Sequence, residues 1–391
     1  RAVEREPPAL ARSIDPACRR LLLRCDVADE WPELERGSQC QGRVAEPARR
    51  LDPRQRGARL IEAQPREHAQ QLGVLPSGGQ AGPPSARYRV WADDPAHFST
   101  HRITTLHHNF HEHALFQVPE LVKLGKELAP LGQCRFMRPG LTVASTIAHD
   151  SRHPDGRSIE EHFERMEEPG SSVALYNIEA IPRYQALLLA VVDTLRGTVE
   201  REQPDIFMVN GFIFISAPPS VTPFHIDREN NFWLQLHGRK TLNVWDHHDR
   251  SIVPAEAVED FIVTHSLRKV RFCEEFRSRS QEFHAHPGDG VYFPSTSPHM
   301  TRSVPDWTGP GDRVSISVGV TFYTSVTRRT ARIHQVNRVL RKCGLSPAYP
   351  GESTAADALK ASVGGLVGAT RSCLVGMSTS AQRFKPVTTP P

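Results

Sequence analysis

Long apolar runs are missing from this 391-residue chain. The longest, Ala186–Val192, is far too short to span a bilayer. The Arg-rich start carries no hydrophobic segment of the kind a secretory signal needs, so the expected location is the cytoplasm, with no membrane partner. The seven cysteines (18, 25, 40, 134, 273, 343 and 373) contain no Cys-x-x-Cys pair and are odd in number. Reduced or incidental thiols are expected rather than a disulfide framework. Charge of one sign is also lacking: the formal net charge of +4 makes no electrostatic case for nucleic acid. There is no phosphate-binding glycine loop, no nucleophile elbow, no zinc-ribbon spacing and no internal repeat.

The composition changes along the chain. Residues 1–86 are rich in Arg, Ala, Glu, Gln and Pro, have Trp31 as their only aromatic, and contain neither Met nor Lys. They read as disordered, or as a leader foreign to the natural protein. Helical spacing then appears over His113–Ala129, over Ser158–Glu167 with a Ser158/Glu161 capping box, and over Ile181–Glu200 behind Pro182. A short strand is expected at Val173–Ile178. Residues 87–205 are thus expected to form a helical N-terminal part packed on a barrel.

From Ile206 the pattern becomes strand-like, with runs at Ile206–Ser216, Phe232–Trp245, Val270–Phe272, Gln281–His284, Gly290–Phe293 and Val314–Tyr323. Gly/Pro turns separate them, as in Pro287-Gly-Asp289. The expected class is mainly β with flanking helices: a double-stranded β-helix, or jelly roll, over residues 206–324. A basic amphipathic helix over 325–344 should follow, packing on the barrel or, through 325–343, on a second copy. Residues 345–391, rich in Ser, Thr, Ala, Gly and Pro, are expected to be a flexible tail.

The chemistry concentrates between Thr222 and Val244. Phe232–Val244 alternates as a single half-buried strand would, placing Lys240 on the face of Phe232, Leu234, Leu236, Leu242 and Val244. Trp233 and Gln235 fall on the opposite face and read as surface. A lysine turned into an apolar interior is costly unless an anion meets it. Just upstream, His225 and Asp227 have the spacing of a two-ligand metal clip. His299, in a Pro-bounded loop after a strand, is the candidate third ligand, with His284 or His286 as its substitute. Two histidines and a carboxylate form the facial triad of non-haem Fe(II) oxygenases. The site would then hold a cation together with an acidic small molecule.

These residues carry a resemblance. The segment Thr222-Pro-Phe-His-Ile-Asp-Arg-Glu-Asn-Asn-Phe-Trp-Leu-Gln-Leu-His-Gly-Arg-Lys240 resembles the JmjC/cupin-like Fe(II)- and 2-oxoglutarate-dependent oxygenases. It looks closest to the branch containing the asparaginyl hydroxylase that inhibits hypoxia-inducible factor. The likeness spans Tyr88–Tyr323 in organisation and is detailed over Asn210–Val244 and Asp289–Tyr323. It implies a dioxygenase that uses 2-oxoglutarate and O2 to hydroxylate a protein or peptide side chain, or a small metabolite. His225, Asp227 and His299 would bind iron. Lys240, fifteen residues after the first ligand, would pair with the distal carboxylate of 2-oxoglutarate. Thr222 and Tyr176 would hydrogen-bond that carboxylate, and Asn231 would lie near the co-substrate. The last strand departs from the branch: Gly319 and Thr321 stand where a polar amide and an aromatic are expected, so asparaginyl hydroxylation does not carry over.

Two alternatives use the same fold. One is a cupin-like binding module without oxygenase activity; the other is a metal cupin, of isomerase type, that works without 2-oxoglutarate. Neither requires an inward lysine at position 240. The His-dense segment Leu106–His113 reads as a solvated loop rather than a second metal site, and His247-His-Asp249 reads as a turn.

Overall fold

The computed structural model describes residues 87–94, 98–137, 140–145, 147, 149–150, 152–304 and 313–366. The segment 1–86, read above as disordered or foreign, lies outside the described residues. In chain order the first elements are strands β1 (Val90–Trp91) and β2 (Thr104–His108), helix α1 (Val118–Leu128), strands β3 (Cys134–Met137) and β4 (His149–Asp150), helix α2 (Ile159–Glu164) and strand β5 (Ser172–Leu175). Helices α3 (Pro182–Asp193) and α4 (Arg196–Glu202) follow. The core strands are β6 (Phe207–Ser216), β7 (Ser220–His225), β8 (Asn230–His237) and β9 (Lys240–Val244). After helix α5 (Ala255–Thr264) come β10 (Gln281–Ala285), β11 (Asp289–Phe293), β12 (His299–Ser303) and β13 (Ser315–Tyr323), then helix α6 (Ser325–Lys342). Residues 354–366, inside the expected tail, form a further helix, α7.

The strands make two sheets. Nine run in the order β1-β2-β11-β8-β13-β6-β5-β3-β4 and four in the order β10-β9-β12-β7. From β6 to β13 the chain changes sheet at every step except β9 to β10, which pair as neighbours in the small sheet, a jelly-roll-like alternation. One apolar cluster is shared by both sheets: Trp233, Val291 and Phe293 from the large sheet meet Leu242, Val244 and Ala285 from the small one. The outer face of the large sheet buries Phe232, Leu234, Val318 and Val320 against Tyr184, Leu187, Leu188 and Val191 of α3. Both faces of the central strands are therefore covered, which is why β8 and β9 are buried almost throughout.

Several sequence expectations need correction. Phe232–Trp245 is not one strand: it breaks at 238–239 and crosses from the large sheet to the small one. Gly238 makes the crossing, with φ +61° and no room for a side chain, since a Cβ there would sit 2.3 Å from the Val314 carbonyl oxygen. Trp233 and Gln235 are not surface residues but are 4% and 0% exposed, because β8 is covered on both sides. Val270–Phe272 forms no strand. The helix expected over Ile181–Glu200 is two, interrupted at Thr194, whose hydroxyl donates to the Val191 carbonyl. Cys343 is disulfide-bonded, whereas Cys134 and Cys273 are free thiols.

Other features follow the sequence. The Ser158/Glu161 capping box forms at α2. The basic helix α6 packs within the chain on α5, where Arg341 clamps the buried Glu259 through two hydrogen bonds and Arg338 pairs with Asp260. Among the described residues no helix is long and apolar enough to cross a membrane.

Candidate metal and co-substrate site

The site forms where β7 and β12 pair at one end of the small sheet. His299 lies opposite His225, and Thr301 lies opposite Thr222. Two residues on β12 thus span three on β7, so β7 carries a bulge at Pro223–Phe224. The bulge lets Thr222 and His225, an odd number of residues apart, face the same side. Pro223 suits that place, because it has no N–H to offer the ladder. Phe224 turns the other way and packs on Trp245 and Phe272.

His225, Asp227 and His299 converge, with one ligand atom from each within 4.8 Å of the others. Nε2 of His225 is 3.9 Å, and Nε2 of His299 is 3.4 Å, from an oxygen of Asp227. The imidazole centroids are 4.0 Å apart. Each ring is held from behind: Nδ1 of His225 contacts the Pro223 carbonyl at 2.7 Å, and Nδ1 of His299 contacts the Ser297 carbonyl at 3.0 Å. A carbonyl only accepts, so both Nδ1 atoms donate to it and both Nε2 atoms face Asp227. Metal-binding histidines are oriented in this way. The Asp227 backbone is fixed too, its carbonyl accepting from the N–H of Thr296 at 2.8 Å.

The protonation states match. Burial, reinforced by His299, pushes His225 down to about 4, so its ring is neutral at pH 7. Burial pushes the Asp227 carboxyl up, but the hydrogen bond to His299 and the charges of both rings outweigh it and hold the group at about 2. A neutral imidazole beside an ionised carboxylate is what a divalent cation binds without displacing protons. Two imidazole nitrogens and one carboxylate oxygen suit a first-row transition metal rather than calcium or magnesium. The residues present therefore fit a facial-triad metal. His284 and His286, the substitutes for His299, lie elsewhere, beside Glu282 and Asp289 respectively. Leu106–His113 is not a solvated loop: its first residues belong to β2, and Leu106, His108 and Phe110 are buried.

Lys240 opens β9 and shares the parity of Leu242 and Val244, which belong to the cluster between the sheets. It is only 3% exposed. Burial alone lowers its ammonium to about 8, and among the described residues nothing hydrogen-bonds to it or pairs with it. It is still mostly protonated at pH 7. The expectation of an inward lysine holds, but its companions on that face differ: Trp233 joins them, while Phe232, Leu234 and Leu236 line the outer core.

The remaining candidates also reach this interior. Asn231 is paired with Phe293 and Thr321, and its Oδ1 is buried with no hydrogen-bond partner. Gly319 lies beneath it, where a Cβ would come 3.3 Å from that oxygen. Tyr176 sits one residue beyond β5 rather than within a strand, and its ring meets Phe212 and Phe214. Burial, and then the charge of Asp227, push its phenol up to about 12, which places it within electrostatic reach of the triad. Sequence reasoning misses Gln235. Its amide nitrogen donates to the carbonyls of His237 and Gly238 and to Ser315, and so fixes the crossing that delivers Lys240.

One family comparison covers the residues of this site. Residues 198–326 match a family model described as a JmjC domain. No curated protein matches the sequence. Among solved structures the chain is similar to YcfD, a ribosomal oxygenase from Escherichia coli, at 13% identity over 71% of this chain and 67% of that one, with a TM-score of 0.36. It is also similar to the same protein in complex with cobalt and 2-oxoglutarate, at 16% identity over 72% and 67%, with a TM-score of 0.37. Residues 198–326, which carry the bulged β7 clip, Lys240 and His299, are thus the part of the chain that is similar to a JmjC domain.

Proposed function

We propose that the chain is an Fe(II)- and 2-oxoglutarate-dependent dioxygenase that hydroxylates a protein or peptide side chain, or a small metabolite. The observation that carries this reading is the buried, unpaired ammonium of Lys240 on the inner face that also presents the metal triad. A cation binder alone has no use for a second, isolated positive charge in its interior. A bidentate metal ligand with a second carboxylate at its far end uses both.

His225, Asp227 and His299 would hold the metal through two Nε2 atoms and a carboxylate oxygen, leaving the remaining positions to ligands from solution. Bound there with 2-oxoglutarate and O2, the metal supplies the oxidising power for C–H hydroxylation, with succinate and CO2 as co-products. Lys240 receives the distal carboxylate through a charge-assisted hydrogen bond. Thr222, beside Thr301 on the bulged strand, and Tyr176, neutral at pH 7, offer hydroxyl donors to the same group. Asn231 keeps an amide over the space that Gly319 leaves open. Phe293, with its centroid 4.7 Å from that of the His299 ring, and Trp233 exclude water from the inner side.

The test is turnover. The purified chain with Fe(II), O2 and 2-oxoglutarate should form succinate, slowly without substrate and faster with it. A chain that binds Fe(II) but leaves 2-oxoglutarate untouched under all conditions would favour the metal-cupin alternative.

A further inference from the structure

We propose that a second cavity, on the far side of the 294–297 loop, is a binding site for a compact oxyanion of the phosphate-ester class. The cavity, of about 250 Å³, lies among α6, the loop that follows β9 and the segment 349–357. Its walls include His334, Asp357, Arg329, Tyr349, His247 and Thr296.

Buried polar atoms are normally paired. Here two orphans lie on the cavity wall, and two more belong to residues near it. His334 is 1% exposed and its Nδ1 has no partner; Asp357 is 3% exposed and its Oδ1 has none. Nη1 of Arg250 and Oδ1 of Asn337 are buried and equally unmatched. Arg250 stacks on Tyr349, with its guanidinium carbon 4.3 Å from the ring centroid.

The surroundings are cationic. Arg329 lies on the wall, and Arg250 and Lys360 both disfavour a proton on His334. Against them stands Asp357, the one carboxylate on the wall among the described residues. Its Oδ2 already accepts from the Gly351 N–H at 2.7 Å. Glu202, behind Thr100, is taken up by the hydroxyls of Ser99 and Thr100.

An occupant must therefore be anionic for the arginines and still offer a proton to Asp357. A singly protonated phosphate, free or esterified, does both. Arg329 and the rings of His334 and His247 can meet its unprotonated oxygens. The volume leaves room for a small organic group beside it.

Inorganic phosphate is the probe, titrated into the full chain while the histidine ring signals are followed by NMR. Saturable shifts of the His334 and His247 signals are expected, absent with chloride at equal ionic strength. Arg329→Gln, at an exposed position that leaves packing intact, should weaken the effect at least about tenfold, and His334→Gln should abolish it. Three results would overturn the proposal: no saturable shift, meaning that the cavity holds water only; the same shift with chloride; or undiminished shifts in Arg329→Gln, which mark an adventitious ion only. Because the readout needs neither iron nor 2-oxoglutarate, it stands or falls separately from the oxygenase reading.

Discussion

Lys240 owes its place to two neighbours and to the parity of its strand. Gly238 allows the chain to cross between sheets, Gln235 ties down the crossing, and the parity of β9 turns the ammonium inward. Replacing it with alanine removes a charged hydrogen bond worth about 1.5–3 kcal/mol. The apparent KM for 2-oxoglutarate in Lys240→Ala should therefore rise about 10- to 100-fold, while Fe(II) affinity measured without co-substrate stays within about twofold. His225→Ala and Asp227→Ala should each abolish succinate formation, because two remaining ligands no longer form the triad. Wild-type succinate rates in either variant would remove the metal assignment. At this scale the sequence is partly legible: residue type and spacing anticipate the convergence of His225, Asp227 and His299 and the burial of Lys240. Gln235 is not, since its task depends on a crossing that alternation alone does not reveal.

The elements show why alternation misleads. Phe232–Val244 keeps a period of two across a turn of two residues, so the pattern reads as unbroken although the chain changes sheet at Gly238. Alternation also presumes one wet face, and here helices cover one side of β8 while the small sheet covers the other. The β7 bulge is equally hidden, because it is defined by pairing with β12, some 75 residues away. One substitution tests the crossing. Gly238→Ala adds a methyl that meets the Val314 carbonyl and must adopt φ +61°. A loss of about 1–3 kcal/mol or more is expected. It would appear as a lower midpoint in urea, together with weaker 2-oxoglutarate binding because Lys240 starts the next strand. Unchanged stability would show that the turn has slack the geometry denies.

The whole molecule carries an unusual load of buried neutral histidine. Burial is the first cause in each case: His108, His162 and His225 are pushed down to about 4, and His334 to about 3. The folded state resists protonating these rings, whereas the unfolded chain protonates them near 6.5. Their contribution is therefore present above pH 6.5 and is lost as the pH falls from 6.5 towards 4. A tenfold difference in proton affinity between the folded and unfolded chain corresponds to about 1.4 kcal/mol, so four such rings together rival the roughly 5–15 kcal/mol that holds a domain folded. The metal-free chain should unfold cooperatively within that window when followed by circular dichroism. A divalent metal should move the midpoint to lower pH by competing with protons at the triad. A chain that remains fully stable at pH 4 without metal would contradict this account.

The proposed function requires that one interior hold a redox metal and, beyond it, a cation awaiting a dicarboxylate. Anaerobic titration of Fe(II) and 2-oxoglutarate into the full chain, followed in the visible spectrum, tests it most directly. A saturable metal-to-ligand charge-transfer band that needs both components, vanishes in Asp227→Ala and requires far more 2-oxoglutarate in Lys240→Ala is the predicted result. No band in the wild-type chain, or a band with the same 2-oxoglutarate dependence in Lys240→Ala, would contradict it.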